Sequence, residues 1–174
     1  MTGQLVIRDT AKALDDYMNK VCGTEDEMYS FYSDTDSCYV TCKNLVENFF
    51  PDKGVDKTVE LLDKIGTDKI EPAIDNAMTK LANYTNAFEN KIFFKREVIA
   101  DKGIFVAKKR YALNVLDDEG LRLTKAKLKV MGLEIVRSST PGPIRESLRE
   151  AVRLILTSTQ DAVSYTHLTL PTIG

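Results

Sequence analysis

Met28-Tyr29-Ser30-Phe31-Tyr32-Ser33-Asp34-Thr35-Asp36-Ser37-Cys38-Tyr39-Val40-Thr41 places two aromatic, β-prone stretches on either side of an Asp-Thr-Asp turn. That pattern predicts a β-hairpin with both aspartates at its tip. Carboxylates at i and i+2 of an extended segment project to one side, and together they offer the hard oxygen donors that suit Mg²⁺. An Asp-x-Asp turn is also commonplace, because aspartate favours turns on its own account. The flanking strands are what distinguish this one, since they would hold the turn rigidly, as a phosphoryl-transfer site requires.

Working outward, Leu5, Ala11, Leu14, Tyr17, Met18 and Val21 share one face of a helix over 4–21, closed by Gly23. Residues 55–88 carry a second helical stripe of Ile70, Ile74, Met78, Leu81 and Tyr84 or Phe88, which Gly66 and Pro72 should break or kink. From Lys91 the period shortens. Strands are predicted over 92–99, 104–106 and 110–116, with a turn at Asp117-Asp118-Glu119-Gly120, and Lys125, Lys127 and Lys129 alternate at strand spacing. A helix over 144–156 follows, with Ile144, Leu148, Ala151 and Ile155 as its stripe. The fold class expected is α+β, an antiparallel sheet backed by helices.

The 174 residues are 43% apolar and 29% charged, and no apolar run is long enough to cross a bilayer. Their net charge of -2 is a cancellation: residues 1–90 hold 9 Lys and Arg against 17 Asp and Glu, whereas 91–129 hold 11 against 5. An acidic front and a basic middle suit a protein that holds cations in one region and a polyanion in the next. Cys22, Cys38 and Cys42 form no CxxC pair and lack histidines at zinc spacing, so they read as reduced structural thiols. The only histidine, His167, lies in an uncharged Thr/Leu-rich tail, which makes histidine-based catalysis unexpected. Val163 to Thr172 are the ten residues that GTCTCTTATACACATCTGACGCTGCCGACG encodes, a transposase-end sequencing adapter, so 161–174 are expected not to be native.

Several segments in order along the chain carry a resemblance to a known family. They are Gly3-Gln4, Val21-Cys22-Gly23-Thr24-Glu25, the hairpin from Tyr32 to Val40, Glu71-Pro72-Ala73-Ile74-Asp75 and Arg96-Glu97-Val98-Ile99-Ala100. Lys108-Lys109-Arg110-Tyr111-Ala112-Leu113-Asn114-Val115, Met131-Gly132-Leu133-Glu134 and Ser138-Ser139-Thr140-Pro141 complete the set. Together they resemble the palm of family B DNA polymerases, most closely the replicative polymerases of T-even-type bacteriophages. The resemblance covers roughly 2–156 and implies a partial palm domain over 1–137 and the start of a thumb over 138–160.

The resemblance implies that Asp36 and Asp34 match the two aspartates of the family's metal-binding DTDS motif, with Glu97 as a neighbouring palm carboxylate. Glu97 reads equally as a charge partner of Arg96 or Lys95. Lys108, Lys109, Arg110 and Tyr111 match a segment contacting primer–template DNA, and Lys129 extends that basic surface. Such cations grip phosphates without reading sequence; a solvated basic strand edge is the plain alternative. Ser33 stands where the family commonly has glycine, and the stretch between Ala100 and Lys108 is shorter than the phage enzymes' glycine-rich loop. By the same resemblance the cofactor is Mg²⁺, the substrates are deoxynucleoside triphosphates and primer–template DNA, and the location is the host bacterium's cytoplasm. The missing upstream half of the polymerase, with exonuclease, remaining palm and fingers, is the implied protein partner, and a sliding clamp would engage residues downstream. The fragment alone is expected to be inactive. A non-catalytic nucleic-acid-binding module is the alternative function.

Overall fold

The computed structural model describes residues 2–34, 36–158 and 167–173, the last stretch as backbone. Helix α1 (Thr2–Cys22) leads into the hairpin β1 (Ser30–Asp34) and β2 (Ser37–Thr41). Helices α2 (Lys43–Phe49), α3 (Val55–Ile65) and α4 (Glu71–Tyr84) follow, the last two joined by a π-helical turn over Gly66–Ile70. Strands β3 (Phe93–Phe94), β4 (Val98–Ala107), β5 (Arg110–Asp118) and β6 (Leu121–Met131), a 3₁₀ turn over Glu134–Val136, helix α5 (Gly142–Ser158) and strand β7 (His167–Ile173) complete the chain. The architecture is α+β, as expected.

All pairings are antiparallel, and the strand order is β1-β2-β7-β4-β5-β6, with β3 paired to β7 alone. β7 fills a slot one strand wide, Cys38 facing Leu170 on one side and Ile99 facing Leu168 on the other. Without it the strands form a pair, β1-β2, and a meander, β4-β5-β6. The expected adapter origin of 161–174 concerns this strand and, for 161–166 and 174, positions outside the described residues.

Side-chain alternation divides the core between the two faces of the sheet. Cys38, Val40 and Ile99 face the helices, where they join Leu14 and Met18 of α1, Leu45 of α2 and Ile70, Ile74 and Met78 of the stripe. Tyr39, Val98 and Ala100, their immediate neighbours in sequence, face the other way with Tyr111, Leu113 and Val115. Thr10 is fully buried on α1 because its hydroxyl donates to Val6 O at 2.8 Å.

Several expectations are corrected. The helix ends at Tyr84, so Tyr84 and Phe88 point into solvent, 83% and 101% exposed. The α-helical pattern does break at Gly66, where α3 gives way to the π turn, and it resumes at Glu71, just before Pro72. Pro72 occupies the first turn of α4, where its missing N–H is harmless, and the wider π turn before it relieves the clash its ring would make with an α-helical carbonyl. The strand predicted over 92–99 splits, and 98–107 is one bulged strand. On α5, Ile144, Leu148, Ala151 and Ile155 are exposed, while Leu156 is buried. The apolar stripe expected on α5 is therefore not its buried side.

All three cysteines are free thiols. Burial pushes Cys38 and Cys42 up to about 12, and Cys22, half-buried, is also raised. Iodoacetamide at pH 8 should therefore modify Cys22 first in the folded chain and reach Cys38 and Cys42 only after denaturation, as peptide mapping would report. A thiol raised in the fold keeps its proton where the unfolded chain has lost its own. Stability should thus be unaffected below the unfolded thiol's pKa of about 9 and fall as pH rises from there toward about 12.

Candidate metal and nucleic-acid site

The hairpin carrying the aspartates is anchored from below by α1. Asp15 accepts from Tyr29 N at 2.9 Å, Ser30 N at 2.7 Å and Ser30 Oγ at 2.8 Å, so one half-buried carboxylate fixes where β1 begins. Bonds to a charged acceptor are worth about 1.5–3 kcal/mol each. Nothing in the sequence marks Asp15 for this work, because its partners lie 14 and 15 residues away.

Register then sets the tip. Asp34 pairs with Ser37, and Asp36 N donates to Asp34 O at 2.5 Å beside that pair. Asp34 is the last residue of β1 and partly buried; Asp36 lies in the turn and is exposed. Strand alternation therefore does not govern how the two carboxylates relate. The donor set fits part of a magnesium site: two carboxylates at one tip match the one or two that Mg²⁺ takes alongside water and phosphate oxygens. Among the described residues no three His, Cys, Asp or Glu side chains gather to hold a metal.

Behind the tip lies an aromatic cluster that joins two distant hairpins. Tyr32 of β1 packs at 5.2 Å from Tyr39 and 4.9 Å from Phe105; Tyr39 lies 5.4 Å from Tyr111, and Phe105 stacks on Tyr111 at 5.5 Å. Edge-on and offset ring contacts of this kind contribute about 0.5–1.5 kcal/mol each beyond area burial. Burial, then Tyr111, then the charge of Glu97 hold the Tyr39 hydroxyl far above its ordinary range, so it stays protonated. Tyr111, expected to face DNA, is only 5% exposed and belongs to this cluster.

The basic segment is a turn, not a run of strand. Lys108 and Lys109 form the tip between β4 and β5, Arg110 opens β5, and all three are exposed. Lys109 adopts a left-handed backbone, φ 62°, and its N–H donates to the Tyr32 hydroxyl at 2.7 Å. Its ammonium lies 3.8 Å from Asp34. The fold thus brings Asp34 and Lys109, 75 positions apart in the sequence, to one edge of the sheet.

Glu97 and Lys129 prove to be partners. Lys129 Nζ lies 2.7 Å from Glu97 Oε1, and Lys127 pairs with Asp118 at 3.2 Å, so two of the three alternating lysines face carboxylates of this chain. Among the described ion pairs Glu97 meets Lys129, not Arg96 or Lys95. Arg96 instead turns into a buried cage, where it meets Asp117 at 2.5 Å and pairs with Asp63, while its N–H donates to Glu71 at 2.9 Å. Asp117, expected in a turn, lies near the end of β5, is 1% exposed and also accepts from Gly120 N at 3.0 Å.

No family model matches the chain. Two curated proteins do: it is 40% identical over 164 residues to the DNA-directed DNA polymerase of Escherichia phage RB69, covering 88% of this chain and 18% of that protein. It is 39% identical over 171 residues to the DNA-directed DNA polymerase of Enterobacteria phage T4, covering 92% of this chain and 19% of the other. The chain spans less than a fifth of the length of the relatives it matches. Identity of this order across nine-tenths of its residues, in a chain folded as an antiparallel sheet backed by helices, means that it belongs to the T-even-type family B DNA polymerases, matching one segment of them.

Proposed function

We propose that this chain is the part of a phage DNA-directed DNA polymerase that carries the metal-binding aspartates and the primer–template contact turn. The observation that carries this reading is the meeting of Lys109 with Tyr32 and Asp34, which sets a polyanion-binding turn beside a cation-binding tip. Asp36 and Asp34 would hold Mg²⁺, whose positive charge offsets the charge on triphosphate oxygens during nucleotidyl transfer. Lys108, Lys109 and Arg110 present three exposed cations to the DNA backbone, a contact that demands no particular sequence. Tyr111 supports them from within the aromatic cluster. Paired to Lys129, Glu97 acts as an assisting carboxylate beside the site, and Lys129 extends the basic surface only as far as that pairing lets it.

The working enzyme draws its remaining metal ligand, the fingers that bind deoxynucleoside triphosphates, the exonuclease and any sliding-clamp contact from polypeptide outside this chain. It acts on primer–template DNA in the host cytoplasm. Primer extension with Mg²⁺ should be undetectable for the 174-residue chain and appear when the upstream segment of the polymerase is supplied alongside it. Incorporation by the chain alone would refute this account. A non-catalytic nucleic-acid-binding module is the second reading, favoured by the exposure of Lys108, Lys109 and Arg110. On that reading the upstream segment adds nothing.

A further inference from the structure

Gly132 follows β6 directly, one residue beyond the last β5–β6 pair, Tyr111 with Met131. Its backbone is left-handed, φ +64°, and a Cβ placed on it would lie 1.9 Å from Lys109 O, 3.1 Å from Lys109 C and 3.2 Å from Arg110 Cγ. Non-bonded carbon and oxygen need more than 3 Å, so any side chain here displaces the backbone of the basic turn. That turn is held on its other side by Tyr32, whose hydroxyl takes the Lys109 N–H, and it reaches Asp34 through the lysine ammonium. Lys109 itself pays for a left-handed conformation that is uncommon outside glycine. Such a conformation persists only where its surroundings over-determine it.

We infer that Gly132 is a positioning residue for the DNA-contacting turn: its missing side chain is the seat of the Lys109 carbonyl, and the seat presses Lys108, Lys109 and Arg110 against the aspartate hairpin. A residue 23 positions from Lys109 thereby sets where the cations meet phosphate. The inference rests on the reading above that this turn grips DNA.

Gly132→Ala and Gly132→Asn separate the possible reasons for glycine. Asparagine tolerates a left-handed backbone and alanine does not, yet both carry the offending Cβ. Binding of the 174-residue chain to a fluorescent primer–template duplex would be measured by anisotropy across a range of KCl, with amide exchange of Lys109 followed by NMR. Both variants should bind about tenfold more weakly, lower the slope of log K against log salt by about one phosphate contact, and speed Lys109 exchange while Leu113 and Val115 stay protected. General destabilisation would reduce the folded fraction and leave that slope unchanged. Wild-type behaviour in Gly132→Asn, or an unaltered slope with unaltered Lys109 exchange, would overturn the inference, and so would loss of the cooperative melt in both variants. Should the wild-type chain ignore DNA at every salt concentration, the functional reading falls instead, and Lys109 exchange alone decides whether the seat exists.

Discussion

Asp36→Asn in the polymerase reassembled from this chain and its upstream segment is expected to slow primer extension about a thousandfold while leaving duplex affinity within about twofold. Asparagine keeps the size and the turn propensity of aspartate, so the Asp34–Ser37 pair and the Asp36 N to Asp34 O bond persist. What goes is the anionic oxygen at the exposed tip. If Asp36 holds the cation as proposed, its loss removes several kcal/mol of charge stabilisation from the transition state, and each 1.4 kcal/mol is about tenfold in rate. DNA affinity survives because Lys108, Lys109 and Arg110 sit on a different hairpin. Asp34→Asn should cost less, since Asp34 already shares its charge with Lys109. Single-turnover extension beside anisotropy measures both quantities, and extension by Asp36→Asn within tenfold of wild type would sink the assignment of Asp36.

Arg96→Met should lower the unfolding free energy by about 3 kcal/mol, the low end of what removing one member of a buried ion pair costs. The arginine side chain is 4% exposed and Asp117 is 1% exposed, so the substitution strands a carboxylate in the interior with only Gly120 N at 3.0 Å and Arg122 at 3.5 Å for company. It also removes one tie to α3, because Arg96 is what Asp63 pairs with there. In a chain of this size such a loss moves the melting temperature down by about 6–12 °C. Arg96→Lys should rescue little, since one ammonium cannot face two carboxylates as a guanidinium fork does. Asp63→Asn should cost under about 1 kcal/mol, its side chain being 38% exposed and screened by water. Urea unfolding followed by circular dichroism would rank the three; an Arg96→Met midpoint equal to that of Asp63→Asn would show that the cage does not carry this load.

The roles the sequence makes visible are those written in neighbouring residues. Tyr32 to Val40 declares a hairpin through alternation and turn chemistry, and the stripe of Ile70, Ile74, Met78 and Leu81 declares a buried helix face through its period. Both signals survive folding because each is a property of the local backbone. Tyr84 and Phe88 carried the same stripe on paper but lie at and beyond the end of α4, where no sheet covers them. Strands predicted over 104–106 and 110–116 leave Lys108 and Lys109 between them, and pairing of β4 with β5 makes these two residues the reversal of the chain.

The sequence by itself determined the α+β class, the aspartate hairpin, the basic segment and, through ordered motifs, the family. Only the tertiary structure decided that Asp15 anchors the hairpin, that Tyr111 is interior, that Glu97 spends its charge on Lys129, and that Gly132 seats the turn carrying Lys109. Each of those contacts, taking Tyr111 against Tyr39, joins residues 14 or more positions apart. No periodicity extends that far, because periodicity reports one element's geometry, whereas these partners are chosen by strand register and by which side chains face each other once the sheet has closed.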